Sequence, residues 1–154
     1  MKRICILLVG VFVSGAGGAA LASARGGAPR ARASAATKLE LRHTKLGSIL
    51  TTSAGLTLYL FTHDHGGEDS CVKIHDCATF WPPLRTSGTP VAGPGVKASL
   101  LGTVEIPGGA RQVTYAGHAL YGYSGETPGE TGYVGVSAFG GAWEALNASG
   151  HAVK

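Results

Sequence analysis

A ten-residue stretch recurs sixty-two positions further along this chain, and that repetition limits its architecture more than any other feature. Gly55-Leu-Thr-Leu-Tyr59-Leu-Phe61-Thr-His-Asp64 returns as Gly117-His-Ala-Leu-Tyr121-Gly-Tyr123-Ser-Gly-Glu126. The same offset carries Leu84 onto Leu146 and Trp81 onto Trp143, the two tryptophans of the sequence. A self-match at fixed period decides architecture before local propensity does. It predicts two similar β-hairpin-based repeats, about 46–84 and about 101–146, packed as one small domain with pseudo-two-fold symmetry.

The chain around these repeats is organised for export. Lys2 and Arg3 precede an apolar run from Ile4 to Val13, and small residues then lead to Ala22-Ser23-Ala24. This is the layout of a secretory signal peptide over residues 1–24, cut after Ala24. A membrane span needs about 17–25 apolar residues, so no transmembrane anchor is expected after cleavage. Residues 25–37, with Arg25, Arg30 and Arg32 among Gly, Ala, Pro and Ser, read as a disordered basic linker, because such a composition buries too little apolar surface to fold. Residues 38–154 form the two-repeat domain.

Charge excludes one class of partner. Removing the leader leaves eleven basic against nine acidic side chains, and residues 38–154 carry eight against nine. A near-neutral domain has no electrostatic footprint for nucleic acid. Cys5 leaves with the leader, and Cys71 and Cys77 are then an even pair in an oxidising compartment, for which a disulfide is the default expectation.

The mature sequence reads as mainly β. Gly and Pro interrupt every helix-length window between Gly47 and Gly141, at about 1 kcal/mol for Gly and about 3 for Pro. Leu39-Glu40-Leu41-Arg42 alternates with the period of a half-buried strand. Ile49-Leu50 and residues 57–62 flank a turn at Ser53-Ala54-Gly55, which predicts a hairpin. Gln112–Tyr115 and His118–Tyr123 flank Ala116-Gly117 and predict its counterpart. Gly55 and Gly117 are expected at positive φ, where a Cβ would be strained. Trp81-Pro82-Pro83-Leu84 is expected to leave its ladder at once, since proline donates no hydrogen bond, whereas Trp143–Leu146 continues as a strand. Tyr59 with Phe61, and Tyr121 with Tyr123, sit two residues apart and face one way.

Tyr59-x-Phe61-x-x-Asp64, Cys71 and Cys77, Trp81-Pro82-Pro83-Leu84, Gln112-Val-Thr-Tyr115-x-Gly117-x-x-Leu120-Tyr121 and Gly140-Gly141-x-Trp143 together resemble the bacterial secreted-repeat family, whose members are often described as predicted lipoproteins with a Yx(F/W/Y)xxD motif. The resemblance implies an exported, β-rich module in two copies. The chain departs from that pattern in lacking a lipidation cysteine, in having Glu126 in place of a second Asp, and in the wide spacing from Cys71 to Cys77.

The residues offer four chemistries. Asp64 and Glu126 could serve as acid and base in a cleft, but a carboxylate just past a strand end caps a turn, and a unit that ends a strand twice reads as framework. His63, His65 and His75, beside Cys71 and Cys77, offer ligands suited to copper or zinc. The imidazoles do not recur in the second copy, and paired cysteines cease to be ligands. No Gly-x-Ser-x-Gly elbow, HExxH helix or phosphate loop accompanies the Ser, His and Asp residues, so no enzyme is expected. Any of Tyr115, Tyr121, Tyr123 and Tyr133 left outside the core would make a binding platform, since tyrosine suits half-exposed sites. The expectation is a non-enzymatic binding or structural module of the cell envelope, secreted or periplasmic. Its partner would be an envelope component or a small ligand. The alternative is a copper- or zinc-binding envelope protein using the loop 63–77.

Overall fold

The computed structural model describes residues 36–154. The signal peptide and nearly all of the basic linker lie outside the described residues. The last linker residue is within them and is tied down: the Thr37 hydroxyl donates to the Arg85 carbonyl at 2.8 Å, and the Val91 amide donates to the Thr37 carbonyl at 2.9 Å.

The fold is mainly β. Strands β1 (Lys38–Thr44) and β2 (Gly47–Thr52) form an antiparallel hairpin, followed by the short β3 (Tyr59–Phe61). A disulfide-closed segment ends in α1 (Cys77–Phe80), a single turn too short to leave any periodicity in the sequence. Strands β4 (Arg85–Thr86), β5 (Val91–Ala92), β6 (Leu101–Ile106), β7 (Ala110–Tyr115) and β8 (His118–Ala119) follow, then β9 (Val136–Ala138), β10 (Gly141–Leu146) and β11 (Ala152–Val153). Among the described residues these strands form three sheets. One has the order β2-β1-β5, with β1 and β5 parallel. The second has the order β11-β10-β3, with β9 also on β10. The third has the order β4-β7-β6, with β8 also on β7. No helix among the described residues is long and apolar enough to cross a membrane.

The β1–β2 and β6–β7 hairpins each run into a glycine turn, with Gly55 at φ +84° and Gly117 at φ +82°. After Gly117 the expected hairpin forms, β7 pairing β8 through Thr114–Ala119 and Tyr115–His118. After Gly55 only the mouth of a hairpin forms. The Leu58 amide donates to the Leu50 carbonyl at 3.0 Å, and the chain then leaves β2 so that β3 pairs with β10 instead. The long-range pairing wins because β3 is buried at all three positions, and the β2 edge alone cannot cover it.

The two prolines after Trp81 also behave differently from expectation. The segment stays in a ladder, because the partner strand uses its carbonyls: the Gly122 amide donates to the Pro82 carbonyl at 3.0 Å, and Pro83 pairs with Tyr121. Proline lacks a donor but not an acceptor, and an edge position asks only for the latter. Leu84 then resumes donation, to the Leu120 carbonyl at 2.8 Å.

The described residues form two core clusters that meet at β3, Leu60 belonging to one and Tyr59 and Phe61 to the other. One is aliphatic, built on Leu39, Leu50, Leu58, Leu60, Val113, Leu120 and Leu146 with Tyr115. The other is aromatic and contains Tyr59, Phe61, Trp81, Tyr121, Trp143 and both bonded cysteines, with Tyr123 packed against it.

Candidate functional site

The aromatic core is assembled where the two copies of the repeat meet. Tyr59 and Tyr121 exchange both main-chain hydrogen bonds at 3.0 Å each. The side chains then cross. The Tyr59 hydroxyl reaches Glu126 Oε1 at 2.5 Å, and the Tyr121 hydroxyl lies 2.8 Å from Asp64 Oδ2. Each tyrosine therefore bonds the carboxylate of the other copy. Tyr59 meets Trp81 edge-on with ring centroids 5.2 Å apart, and Tyr121 meets Trp143 in the same way at 5.2 Å. The two indoles stack on one another at 4.1 Å and 3°. Phe61 stacks on Trp143 at 4.1 Å, and Tyr123 lies against Trp81 at 4.7 Å, which completes the exchange.

Glu126 is buried by this arrangement and Asp64 is half-buried. Glu126 also accepts from the Thr57 amide at 3.0 Å, and Asp64 accepts from the Ser70 amide at 2.8 Å. Burial pushes the carboxyl of Asp64 above its usual range, and burial does the same to Glu126; their hydrogen bonds offset this only in part. Burial also raises both phenols, with Glu126 adding to the effect at Tyr59 and Asp64 at Tyr121. The Tyr121 oxygen lies 2.9 Å from Asp69 Oδ1 as well. The phenol therefore sits between two carboxyl groups, those of Asp64 and Asp69. Both acids are hydrogen-bonded to internal partners, and Asp64 also borders a cavity of about 380 Å³ beside His118 and Glu144.

Cys71 and Cys77 are bonded to each other, with Cα atoms 5.3 Å apart. Their short loop delivers Trp81 to the stack: the Trp81 amide donates to the Cys77 carbonyl at 2.8 Å. On the opposite side the glycine pair before Trp143 allows close approach. A Cβ on Gly141 would come within 2.9 Å of the His63 backbone nitrogen and 2.8 Å of the Phe61 ring.

The three histidines do not converge. His63 stacks on Phe61 at 5.6 Å, and His65 lies with its ring 6.1 Å from that of His63. The side chain of His75 is 93% exposed and pairs with Asp76 at 3.0 Å. Among the described residues, no group of three or more His, Cys, Asp and Glu side chains is arranged to hold a metal ion.

An open feature lies at the edge of the aromatic core. Phe80, Trp81, Tyr123, Tyr133, Val136, Ala138 and Phe139 line a groove of about 330 Å³. Tyr123 and Tyr133, with centroids 4.0 Å apart, are the half-exposed members of the tyrosine set, whereas Tyr115 and Tyr121 are buried. Phe80 is 46% exposed and faces Phe139 across 6.1 Å. Phe139 occupies the first position of the two-residue β9–β10 turn at φ +58°, followed by Gly140 at φ +88°. An L-residue in this region costs about 1–2 kcal/mol, and such turns ordinarily carry Asn or Gly there. Sequence reading missed both phenylalanines. The available signal was Phe139-Gly140 between two strands, a turn position that phenylalanine fills poorly.

Residues 41–85, from β1 to the start of β4, match the family model described as a secreted repeat of unknown function. No curated protein matches the chain, and no solved structure does.

Proposed function

We propose that this chain is an exported, non-enzymatic binding module of the bacterial cell envelope. In this reading its duplicated motif is the framework of a two-copy fold with approximate two-fold symmetry, and its working surface is the aromatic groove. The match of residues 41–85 to a family described as secreted supports export. The crossed tyrosine–carboxylate pairs and the stacked tryptophans support the symmetry and argue against an acid–base site. The observation that carries the binding role is the pair of phenylalanines on the groove. Phe139 is held in a strained turn position where, half-buried, it packs at the edge of the aromatic core and faces Phe80. Strain of this kind persists where the surroundings impose it, often for binding.

Chemical-shift mapping with a mixture of small apolar and amphipathic compounds tests the reading. Perturbations should gather at Phe80, Tyr123, Tyr133 and Phe139. Perturbations confined to residues 63–77, or none from any compound, would contradict it. A second reading, a copper or zinc protein using His63, His65 and His75, draws on the 6.1 Å approach of His63 and His65. Metal content of the protein isolated from its own source separates the two.

A further inference from the structure

We propose that a second site, separate from the aromatic groove, binds a primary ammonium group in the cavity beside Glu144, and that Lys154 is its tethered occupant.

The cavity measures about 380 Å³ and shares no lining residue with the groove. Residues of β3, β8, β10 and β11 meet there with Asp64 and the Gly150-His151 segment. Four of its side chains carry chemistry: the carboxylates of Asp64 and Glu144 and the imidazoles of His118 and His151. Among the described residues that line it there is no Lys or Arg.

Glu144 sets the sign of the guest. It is 7% exposed on β10, and a buried charge is costly unless it is paired. Among the described residues its carboxylate has one polar partner, the Lys154 ammonium at 3.2 Å. Ala145 pairs with Val153, so the β10–β11 register brings Lys154 opposite Glu144. The pairing is lopsided, because the Lys154 side chain is 79% exposed and the acid is not. The carboxylate is thus a fixed part of the cavity wall, and the lysine reaches it from solvent. A pair with one member in solvent is held weakly, so a free cation competes for the acid.

Three features select an ammonium among cations. The cation on Glu144 is itself a primary ammonium. A divalent metal lacks a ligand set here, since no group of three or more His, Cys, Asp and Glu among the described residues is arranged to hold one. An ammonium brings three N–H donors, and the cavity wall supplies acceptors in Glu144 and the two imidazoles. A quaternary ammonium would leave those acceptors unused. Asp64 adds negative charge at the edge, although its oxygens already accept from Ser70 and Tyr121.

Titration with n-butylamine hydrochloride at about pH 8, where imidazole is ordinarily neutral, tests this. The readout is the resonances of the Glu144 amide and of the His118 and His151 rings. Butan-1-ol is the uncharged control, tetramethylammonium chloride the cation without N–H donors, and zinc chloride the metal. Butylammonium should bind saturably and at least about tenfold more tightly than butanol or tetramethylammonium. Lys154→Gln should tighten butylammonium by about threefold by removing the tethered competitor, and Lys154→Arg should not. Glu144→Gln should weaken it by about tenfold. A parallel titration with the methylamide of N-acetyl-lysine separates the sources: tighter binding than butylammonium names a lysine side chain of a partner polypeptide, and weaker binding names a free amine.

Equal butylammonium affinity in the wild type and in Lys154→Gln would leave the Glu144–Lys154 contact as a cross-strand ion pair and overturn the proposal. Equal binding of butanol or tetramethylammonium would overturn the ammonium assignment. Zinc shifting the same resonances at a lower concentration than butylammonium would overturn it as well. These readouts lie outside the aromatic groove, so failure here is distinct from failure of that surface to bind.

Discussion

Tyr59 and Tyr121 bond to each other through both main-chain groups, yet each sends its hydroxyl to the acid that belongs to the other's motif, Glu126 and Asp64. The two motifs are thus halves of one structural joint. Their spacing of Tyr-x-aromatic-x-x-acid places a carboxylate just past a strand end, where it reaches across to the partner strand instead of back to its own tyrosine.

The pH dependence of stability follows from that joint. Asp64 and Glu126 hold protons more tightly in the folded state than their ordinary values of 3.8 and 4.5 imply. The native state then binds more protons than the unfolded chain, so stability falls as pH rises. The contribution is complete below the ordinary carboxylate range and is lost as pH climbs through the raised values. The tyrosines act in the same direction above their ordinary value of 10.0. Melting temperatures should decline from about pH 4 toward neutrality, and Asp64→Asn with Glu126→Gln should flatten the slope. A melting temperature that rises over that window would contradict this.

Phe139→Asn should make the protein more stable. It replaces a bulky residue at φ +58° with the residue that type I′ turns favour, for a gain of about 1 kcal/mol. Urea denaturation measures it. A loss of stability would mean that the packing of Phe139 against Phe80 and the aromatic core outweighs the turn strain.

Reducing Cys71–Cys77 should cost about 2 kcal/mol, the expectation for so short a loop. Hydrogen exchange should quicken around residues 70–81, where the Trp81 amide hangs from the Cys77 carbonyl, while β1 and β2 stay protected. Uniform acceleration across every strand would show that the bond holds more than this segment.

Much of the fold was legible in the residues and some was not, for reasons that are physical. Leu39-Glu40-Leu41-Arg42 announced β1 by its alternation, and Gly55 and Gly117 announced turns because positive φ leaves little choice of residue. The partner of Tyr59–Phe61 was not legible. A fully buried three-residue strand has no polar face to set its register, so nearness to Ile49-Leu50 suggested a hairpin that β10 displaces. The crossing of Tyr59 to Glu126 was equally hidden, because two copies of one motif do not say whether each acid serves its own tyrosine or the other. The groove was half legible: Tyr123 and Tyr133 are of a type that sits at a wet edge, whereas Phe80 and Phe139 are of a type expected inside.

Metal titration bears on the histidines. His75→Ala should leave copper or zinc affinity unchanged, since that side chain stands in solvent beside Asp76 and apart from the His63–His65 pair. A tenfold loss in the variant would require the loop 63–77 to rearrange around the ion.

The most direct measurement is a double-mutant cycle on the crossed pair. Unfolding free energies of Tyr59→Phe, Glu126→Gln and their combination should show coupling of about 1 kcal/mol or more, as residues sharing a buried hydrogen bond do. The same cycle on Tyr59→Phe and Asp64→Asn, the acid of its own motif, should be additive within about 0.5 kcal/mol. Coupling to Asp64 with additivity toward Glu126 would contradict the crossing, and with it the account of the repeat as a shared framework.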